Sequence, residues 1–316
     1  MKMHQMMKIT AAAAMALSLT ACSSGSAAGD SSAASGSAAP ENPYAYLLEG
    51  FEYEKPELDL SNADGVLKSV LDKGTLVIAT SPDYPANEFV EEDGTVYGSE
   101  MMLAEYVAEC LGVTLKIETM DFSGTLVAVD TGKVDMAFSG YGWKADREEQ
   151  YQLTIGYTGN TKDYGHTLII PAADEGKYKT LEDFVGKHIL AQASSLQQMY
   201  VEDQIIALDP NGGTELEMVA TLDQAILGLA SGKCDAVALD GHTAENYVTQ
   251  SDGQFALTNI KFDLTMYGEH EGNVAAAKKG ETSLIEAVNT IIQFAIDHDY
   301  YANWYTAARE RAGIEE

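Results

Sequence analysis

One pattern constrains this chain more than any other. Thr131-Gly-Lys-Val-Asp135-Met-Ala and Ser231-Gly-Lys-Cys-Asp235-Ala-Val echo one another at a spacing of 100 residues. Each follows an apolar segment of helical spacing and precedes a short strand-like run. Each glycine therefore fits the position that closes a helix, and each strand reads as buried. Helix-Gly-Lys-x-Asp-strand is also common turn chemistry. Here a whole helix–turn–strand unit matches, which predicts two similarly built α/β lobes.

The surrounding sequence alternates in the same way. Thr75–Thr80, Val113–Glu118 and Val134–Phe138 read as strands, and Glu100–Leu111 and Gly124–Thr131 as helices, with Gly112 as a helix stop. Further on, strands are predicted over Ile189–Ala193, Glu215–Ala220 and Asp235–Leu239, and helices over Leu196–Ala207 and Leu222–Ser231. The segments Thr282–His298 and Tyr301–Arg311 read as closing helices. This alternation argues for an α/β fold with largely parallel sheets. The acidic, turn-rich stretch from about Pro40 to Gly65 has no assignable element.

Charge narrows the function. With 19 basic and 49 acidic side chains the formal charge is −30, which repels phosphate backbones and excludes nucleic acid as a partner. The arginines are Arg147, Arg309 and Arg311, so the first stands alone through the body of the chain. Met1–Lys8 carries two lysines and Ile9–Leu19 is apolar but too short to span a bilayer, as in a secretory signal. Leu19-Thr-Ala-Cys22 resembles a bacterial lipobox, in which the cysteine is diacylated, and a Ser/Ala/Gly-rich tether comes directly after it. An ordinary signal with an incidental Cys22 is the alternative. The expectation is an extracytoplasmic, lipid-anchored protein, because two acyl chains anchor stably. Cys110 and Cys234 fall in separate halves of the predicted α/β pattern and are expected to be buried thiols; no zinc spacing is present.

Two lobes imply a cleft, and ligands of open α/β sheets sit beyond the carboxyl ends of the strands. Past the first echoed strand come Ser139-Gly140-Tyr141-Gly142 and then Arg147; past the second comes Asp240. A cation from one lobe and an anion from the other suit a zwitterion.

Taken with Gly74-Thr-Leu-Val-Ile-Ala-Thr80, Met120-Asp-Phe-Ser-Gly124, Gly132-Lys-Val-Asp-Met136, Ser139-Gly140 and Gly232-Lys-Cys-Asp235, the chain resembles extracellular solute-binding proteins of family 3 from about Asp72 onward. The resemblance implies two α/β lobes joined by two hinge strands, the type II periplasmic-binding-protein arrangement. Lobe 1 is then residues 65–165 plus 262–316 and lobe 2 residues 166–261, after a signal (1–21) and a lipidated tether with an acidic segment (22–64). It also implies that Arg147 holds a ligand α-carboxylate, helped by Ser195 and the N–H groups of Ser195 and Leu196. Asp240 and the Gly140 carbonyl would take the α-ammonium, Tyr84 and Phe122 would wall the side chain, and Ser139, Tyr141 and Gln192 would line the cleft. Some positions depart from the pattern: Gly142 for a hydroxyl residue, Leu196 for Thr or Gly, Ser81 for Asp, Pro85-Ala86-Asn87 for Pro-Pro-Phe, and Trp143 and Lys144 for a small β-branched pair.

Blander readings stand beside these. Arg147 neighbours Asp146, Glu148 and Glu149 as a surface arginine would, Asp240 could cap a helix beginning near His242, and Tyr84 and Phe122 could be core aromatics. Asp135 and Asp235 are assigned to structure, and His166 and His270 to solvated positions near the hinges. The expected function is capture of an amino acid or close analogue for an ABC permease, by a monomer that needs no cofactor or metal and performs no chemistry. The rivals are an enzyme on the same fold, similar to cyclohexadienyl dehydratase, and a ligand-sensing lipoprotein.

Overall fold

The computed structural model describes residues 42–158, 165–268, 270 and 272–314. The leader, Cys22 and the tether expected after it lie outside the described residues.

In chain order the structure runs α1 (Gly65–Lys73), β1 (Thr75–Thr80), β2 (Asp83–Tyr84), β3 (Glu88–Val90), β4 (Val96–Tyr97), α2 (Ser99–Leu111), β5 (Thr114–Thr119), α3 (Phe122–Asp130), β6 (Met136–Gly142), α4 (Ala145–Gln150) and β7 (Tyr151–Leu153). It continues with β8 (His166–Pro171), β9 (His188–Gln192), α5 (Leu196–Gln204), β10 (Glu215–Val219), α6 (Leu222–Ala230), β11 (Ala236–Asp240), α7 (Gly241–Gln250) and β12 (Phe255–Lys261). The chain then returns as β13 (Asn273–Lys278), α8 (Thr282–Asp297) and α9 (Tyr300–Arg311).

Two five-stranded sheets result, in the orders β5-β1-β6-β13-β7 and β10-β9-β11-β8-β12, with a small β2-β3-β4 sheet beside the first. Each large sheet has three parallel strands, as the alternation predicts. Beyond these three, β13 and β8 run antiparallel to their neighbours while β7 and β12 point with the parallel set, so each sheet is mixed by a single reversed strand where largely parallel sheets are expected. The reason is connectivity. The chain crosses between the sheets twice, and β8 on entering and β13 on returning each insert beside a parallel strand in the opposite sense. At the crossings Tyr157 and Asn273 exchange backbone hydrogen bonds of 2.8 and 2.7 Å.

Both faces of each sheet are covered, so the inner strands β1, β6, β9 and β11 are mostly buried, whereas the edge strands β5 and β10 keep exposed charged positions. In the first lobe α2, α8 and α9 bury Met101, Leu103, Trp304 and Ile291 against Ile78, Met136 and Phe138. On the other face α3 contributes Leu126 and Val129 against Ala79 and Ala137. In the second, Val201 of α5 packs with Leu168 and Ile189, and Leu229 of α6 with Leu190 and Val237. The stretch 42–64, unassigned from sequence, lies on the first core, with Leu47 and Leu48 buried and Tyr106 Oη donating to the Glu54 carbonyl at 2.6 Å.

The echoed units have the same construction. Asp135 accepts the Val77 N–H at 2.7 Å and Asp235 the His188 N–H at 2.9 Å, each tying its turn to the neighbouring parallel strand. Gly112 closes α2 at φ +73°, a left-handed position that favours glycine. Cys110 and Cys234 are free thiols, the first half-buried and the second buried.

Candidate functional site

β6 and β11 end at one cavity where the two lobes meet. From the first lobe it is lined by Asp83, Tyr84, Glu88, Phe122, Ser139, Gly142 and Arg147. From the second it is lined by Gln192, Ser195, Leu196, Gln197, Leu222, Leu239 and Asp240. Most of the residues expected at the cleft are thus brought together from separate parts of the chain. Gly140 and Tyr141 are not on this lining.

Arg147 is 4% exposed, so it is not a surface arginine. α4 turns its guanidinium inward, where Nη1 donates to the Gly142 carbonyl and Nη2 to the Ser194 carbonyl at 2.9 Å, the latter across the cleft. Burial lowers its pKa from the ordinary arginine value, an effect that Tyr141 beside it opposes. Both acceptors are neutral, so the site offers a desolvated cation to an incoming anion. Tyr141, expected on the cleft wall, lies instead beneath Arg147. Its ring centroid is 5.1 Å from the guanidinium carbon, and its hydroxyl pairs with Thr125.

Asp240 ends β11 and caps α7, accepting the Thr243 N–H at 3.0 Å. It therefore combines the capping position with a place on the cavity wall. Ser195 is likewise engaged as the cap of α5, accepting the Gln198 N–H at 3.1 Å. Its own N–H, expected to serve a carboxylate, donates to the Gln192 carbonyl at 3.2 Å. Ser139 Oγ accepts the Ser81 N–H at 2.9 Å, which joins the ends of β1 and β6.

The aromatic pair is divided between roles. Tyr84 belongs to the first lobe but packs against the second-lobe cluster that contains Ile169, Leu190, Leu222 and Leu239. Phe122 opens α3, 8% exposed, its ring 5.1 Å from that of Tyr141. Gly140 is left-handed at φ +59°, and a Cβ there would come within 2.5 Å of the Tyr84 ring. A Cβ on Gly142 would come within 2.4 Å of Leu196 Cδ1. Two departures from the family pattern therefore compensate: Leu196 of one lobe occupies the space that Gly142 of the other leaves open.

Two acids went unnoticed in the sequence. Asp83 receives Ser81 Oγ at 2.9 Å on one oxygen; on the other it receives Gln192 Nε2 at 2.9 Å and the Leu222 N–H at 2.8 Å. Glu88 is 1% exposed, and neither of its carboxyl oxygens has a hydrogen-bond partner among the described residues. Burial, then the nearby Glu100 and Asp83, push its pKa well above the ordinary carboxyl value. Ser139 opposes this slightly without reaching hydrogen-bond geometry. Glu100, also fully buried, accepts the Gly140 N–H at 3.0 Å and Asn273 Nδ2 at 2.8 Å, and burial raises it to about 7. Asp83 lies in a run that reads as a turn, and Glu88 precedes the acidic Glu91-Glu92-Asp93 stretch. Neither context signals a buried acid.

Among the described residues no acid, histidine or cysteine cluster could hold a metal ion, and no helix is long and apolar enough to cross a membrane.

Two sheets of like construction, crossed twice by the chain and closing on a cavity with charges from both sides, define a two-lobed solute-binding protein. Residues 76–307 match the family of bacterial extracellular solute-binding proteins, family 3, and the chain belongs to it. It is 25% identical to the L-cystine-binding protein TcyJ of Escherichia coli (strain K12) over 232 residues, 72% of this chain and 80% of that one. It is 28% identical to the arginine-binding extracellular protein ArtP of Bacillus subtilis (strain 168) over 181 residues, 57% of this chain and 66% of the relative. Among solved structures it is similar to the amino acid ABC transporter substrate-binding protein AbpA of Streptococcus pneumoniae bound to L-arginine. That match has 27% identity and a TM-score of 0.69, over 79% of this chain and 100% of the other. An ancestral amino-acid-binding protein described as a precursor of cyclohexadienyl dehydratase shares the fold, at 21% identity and a TM-score of 0.64, over 77% of this chain and 99% of that chain.

Proposed function

We propose that this protein captures an α-amino acid with a cationic side chain, of which L-arginine is the reference ligand, and presents it to an ABC permease. Arg147 takes the α-carboxylate and Asp240 the α-ammonium, which accounts for one cation and one anion. The observation that carries the choice of side chain is Glu88, a buried acid on the cavity wall whose two carboxyl oxygens have no hydrogen-bond partner among the described residues. A guanidinium or ammonium there would supply the hydrogen bonds and countercharge that it lacks. Relatives that bind arginine support this reading. L-Cystine, bound by another relative, has a second carboxylate as well as a second ammonium. Among the described residues no second cation lines the cavity to receive it.

Closure is the expected mechanism: a ligand held by both lobes binds the closed form better and shifts the population toward it. The leader and Cys22 fit delivery outside the cytoplasm on a lipid anchor, with the acidic body held clear of the anionic bilayer surface.

Titration calorimetry with L-arginine, L-citrulline and L-lysine tests the assignment. Citrulline has nearly the shape of arginine without the charge and is expected to bind at least tenfold more weakly. Glu88→Gln should remove most of that difference. Equal affinity for arginine and citrulline in the wild type would refute the role of Glu88.

The same carboxyl favours one second reading. A carboxyl at the wall of a cavity whose burial favours the protonated form is the kind of group a general acid requires, so a lyase on this fold would place its proton donor here. A bound ligand monitored by NMR separates the two: a binding protein returns it unchanged, and an enzyme turns it over.

A further inference from the structure

Arg147 to the Ser194 carbonyl and two bonds to Asp83 join the lobes beside the cavity, and they differ in what a ligand would do to them. Arg147 to the Ser194 carbonyl uses a side chain that a ligand carboxylate would claim. The two bonds to Asp83 do not. They lie on a carboxylate that the first lobe supplies from β2, fixed in place by Ser81 Oγ. They end on the second lobe at the first N–H of α6 and at Gln192 Nε2.

The second-lobe side is equally prepared. α6 has its own cap, Thr221, whose hydroxyl accepts the Gln224 N–H at 3.3 Å, and this leaves the Leu222 N–H for an outside acceptor. An acid at a helix N-terminus is favoured by the helix dipole as well as by the hydrogen bond. Gln192 is turned toward Asp83 by a second bond, to the Ala220 carbonyl at 3.3 Å. Tyr84, next to Asp83, packs against the cluster that contains Leu222 and Leu239.

We propose that Asp83 is a positioning residue for ligand capture: a clasp in which a carboxylate of one lobe caps helix α6 of the other and holds the lobes together without using Arg147, Asp240 or Glu88, the groups proposed to hold the ligand. Opening the cleft exposes the Asp83 carboxylate, the α6 N-terminus and the Tyr84 ring to water together, so the clasp weights the closed form both before and after ligand arrives. The apparent affinity of a two-state receptor scales with the fraction of binding-competent form. Asp83 therefore adjusts affinity through the closed population, and release through the rate of opening. The clasp is read without ligand and is independent of the proposed choice of side chain.

Small-angle X-ray scattering of the ligand-free full chain, wild type against Asp83→Ala and Asp83→Asn, tests it. Asparagine keeps the shape and one acceptor but turns an amide N–H₂ toward a donor. Both variants should scatter as more open particles than the wild type, with alanine more open than asparagine, while circular dichroism shows the fold retained. With L-arginine as probe, stopped-flow dissociation from Asp83→Ala should be about tenfold faster, with the association rate changed less than threefold. Identical ligand-free scattering from all three proteins would overturn the clasp. Failure of L-arginine to bind the wild type would count against the ligand assignment and leave the scattering result to decide the clasp.

Discussion

Replacing Arg147 by alanine isolates the contact on which the proposed ligand recognition rests. The guanidinium is 4% exposed and bonds to two neutral carbonyls, so in the free protein its charge is desolvated without a countercharge in those bonds. A ligand carboxylate supplies that charge. Removing one partner of a buried, hydrogen-bonded charge pair costs about 2–5 kcal/mol, because the other partner is left buried and unpaired. At about 1.4 kcal/mol per factor of ten, the dissociation constant for L-arginine should rise between about 30-fold and about 4,000-fold. The free protein should respond far less. Two carbonyls lose a donor at about 1 kcal/mol each, while the burial of an uncompensated cation is relieved. A net change near 1 kcal/mol moves Tm by only about 2–4 °C in domains of this size. Differential scanning fluorimetry and calorimetry on the same samples separate the two effects. The ligand-induced rise in Tm, about 4 kcal/mol of stabilisation at a ligand concentration near 1,000 times the Kd, should vanish while the ligand-free Tm stays close to wild type. Arg147→Lys keeps the charge but loses the two-pronged geometry and should fall between. Wild-type affinity in Arg147→Ala would refute the reasoning, as would an affinity loss matched by a collapse of the ligand-free Tm.

Two further outcomes concern the same cavity. Burial raises Glu100 from 4.5 to about 7 and holds Glu88 well above its ordinary value. The folded protein therefore binds these protons more tightly than the unfolded chain. The Glu100 contribution is fully present below about pH 4.5 and is lost as pH rises through about 7, so Tm should decline across that window. Glu100→Gln should flatten the decline, seen in melting curves at constant ionic strength. Gly142→Ala should weaken ligand binding by crowding Leu196, and Leu196→Ala should restore part of the loss. A double-mutant cycle is expected to show coupling of about 0.5–3 kcal/mol.

The alternating pattern is sufficient to place most elements on the central strands and their helices. β1 is expected at Thr75–Thr80 and occurs there, and α2 begins one residue before its expected start. Local signals fail where the element is short or its burial is decided elsewhere. β2 and β3 span two and three residues in a turn-like run, and the periodicity of so few positions carries no information. β8 carries a β-rich run, Thr167-Leu-Ile-Ile170, like that of β1, but its reversed direction is not local information, and the alanine-rich β13 carries no clear signal; these are the strands that make the sheets mixed.

The lone arginine, the aspartate after the second echoed strand and the two-lobed plan are written in residue order, because each is fixed by its place just beyond a buried strand. Whether an acid is solvated or buried depends on which surfaces the two lobes bring against it, and no neighbouring residue encodes that. Hence Arg147 and Asp240 are legible in one dimension. Asp83 and Glu88 reach their places on the cavity wall only when the chain, after two crossings, sets one lobe against the other and removes the water between them.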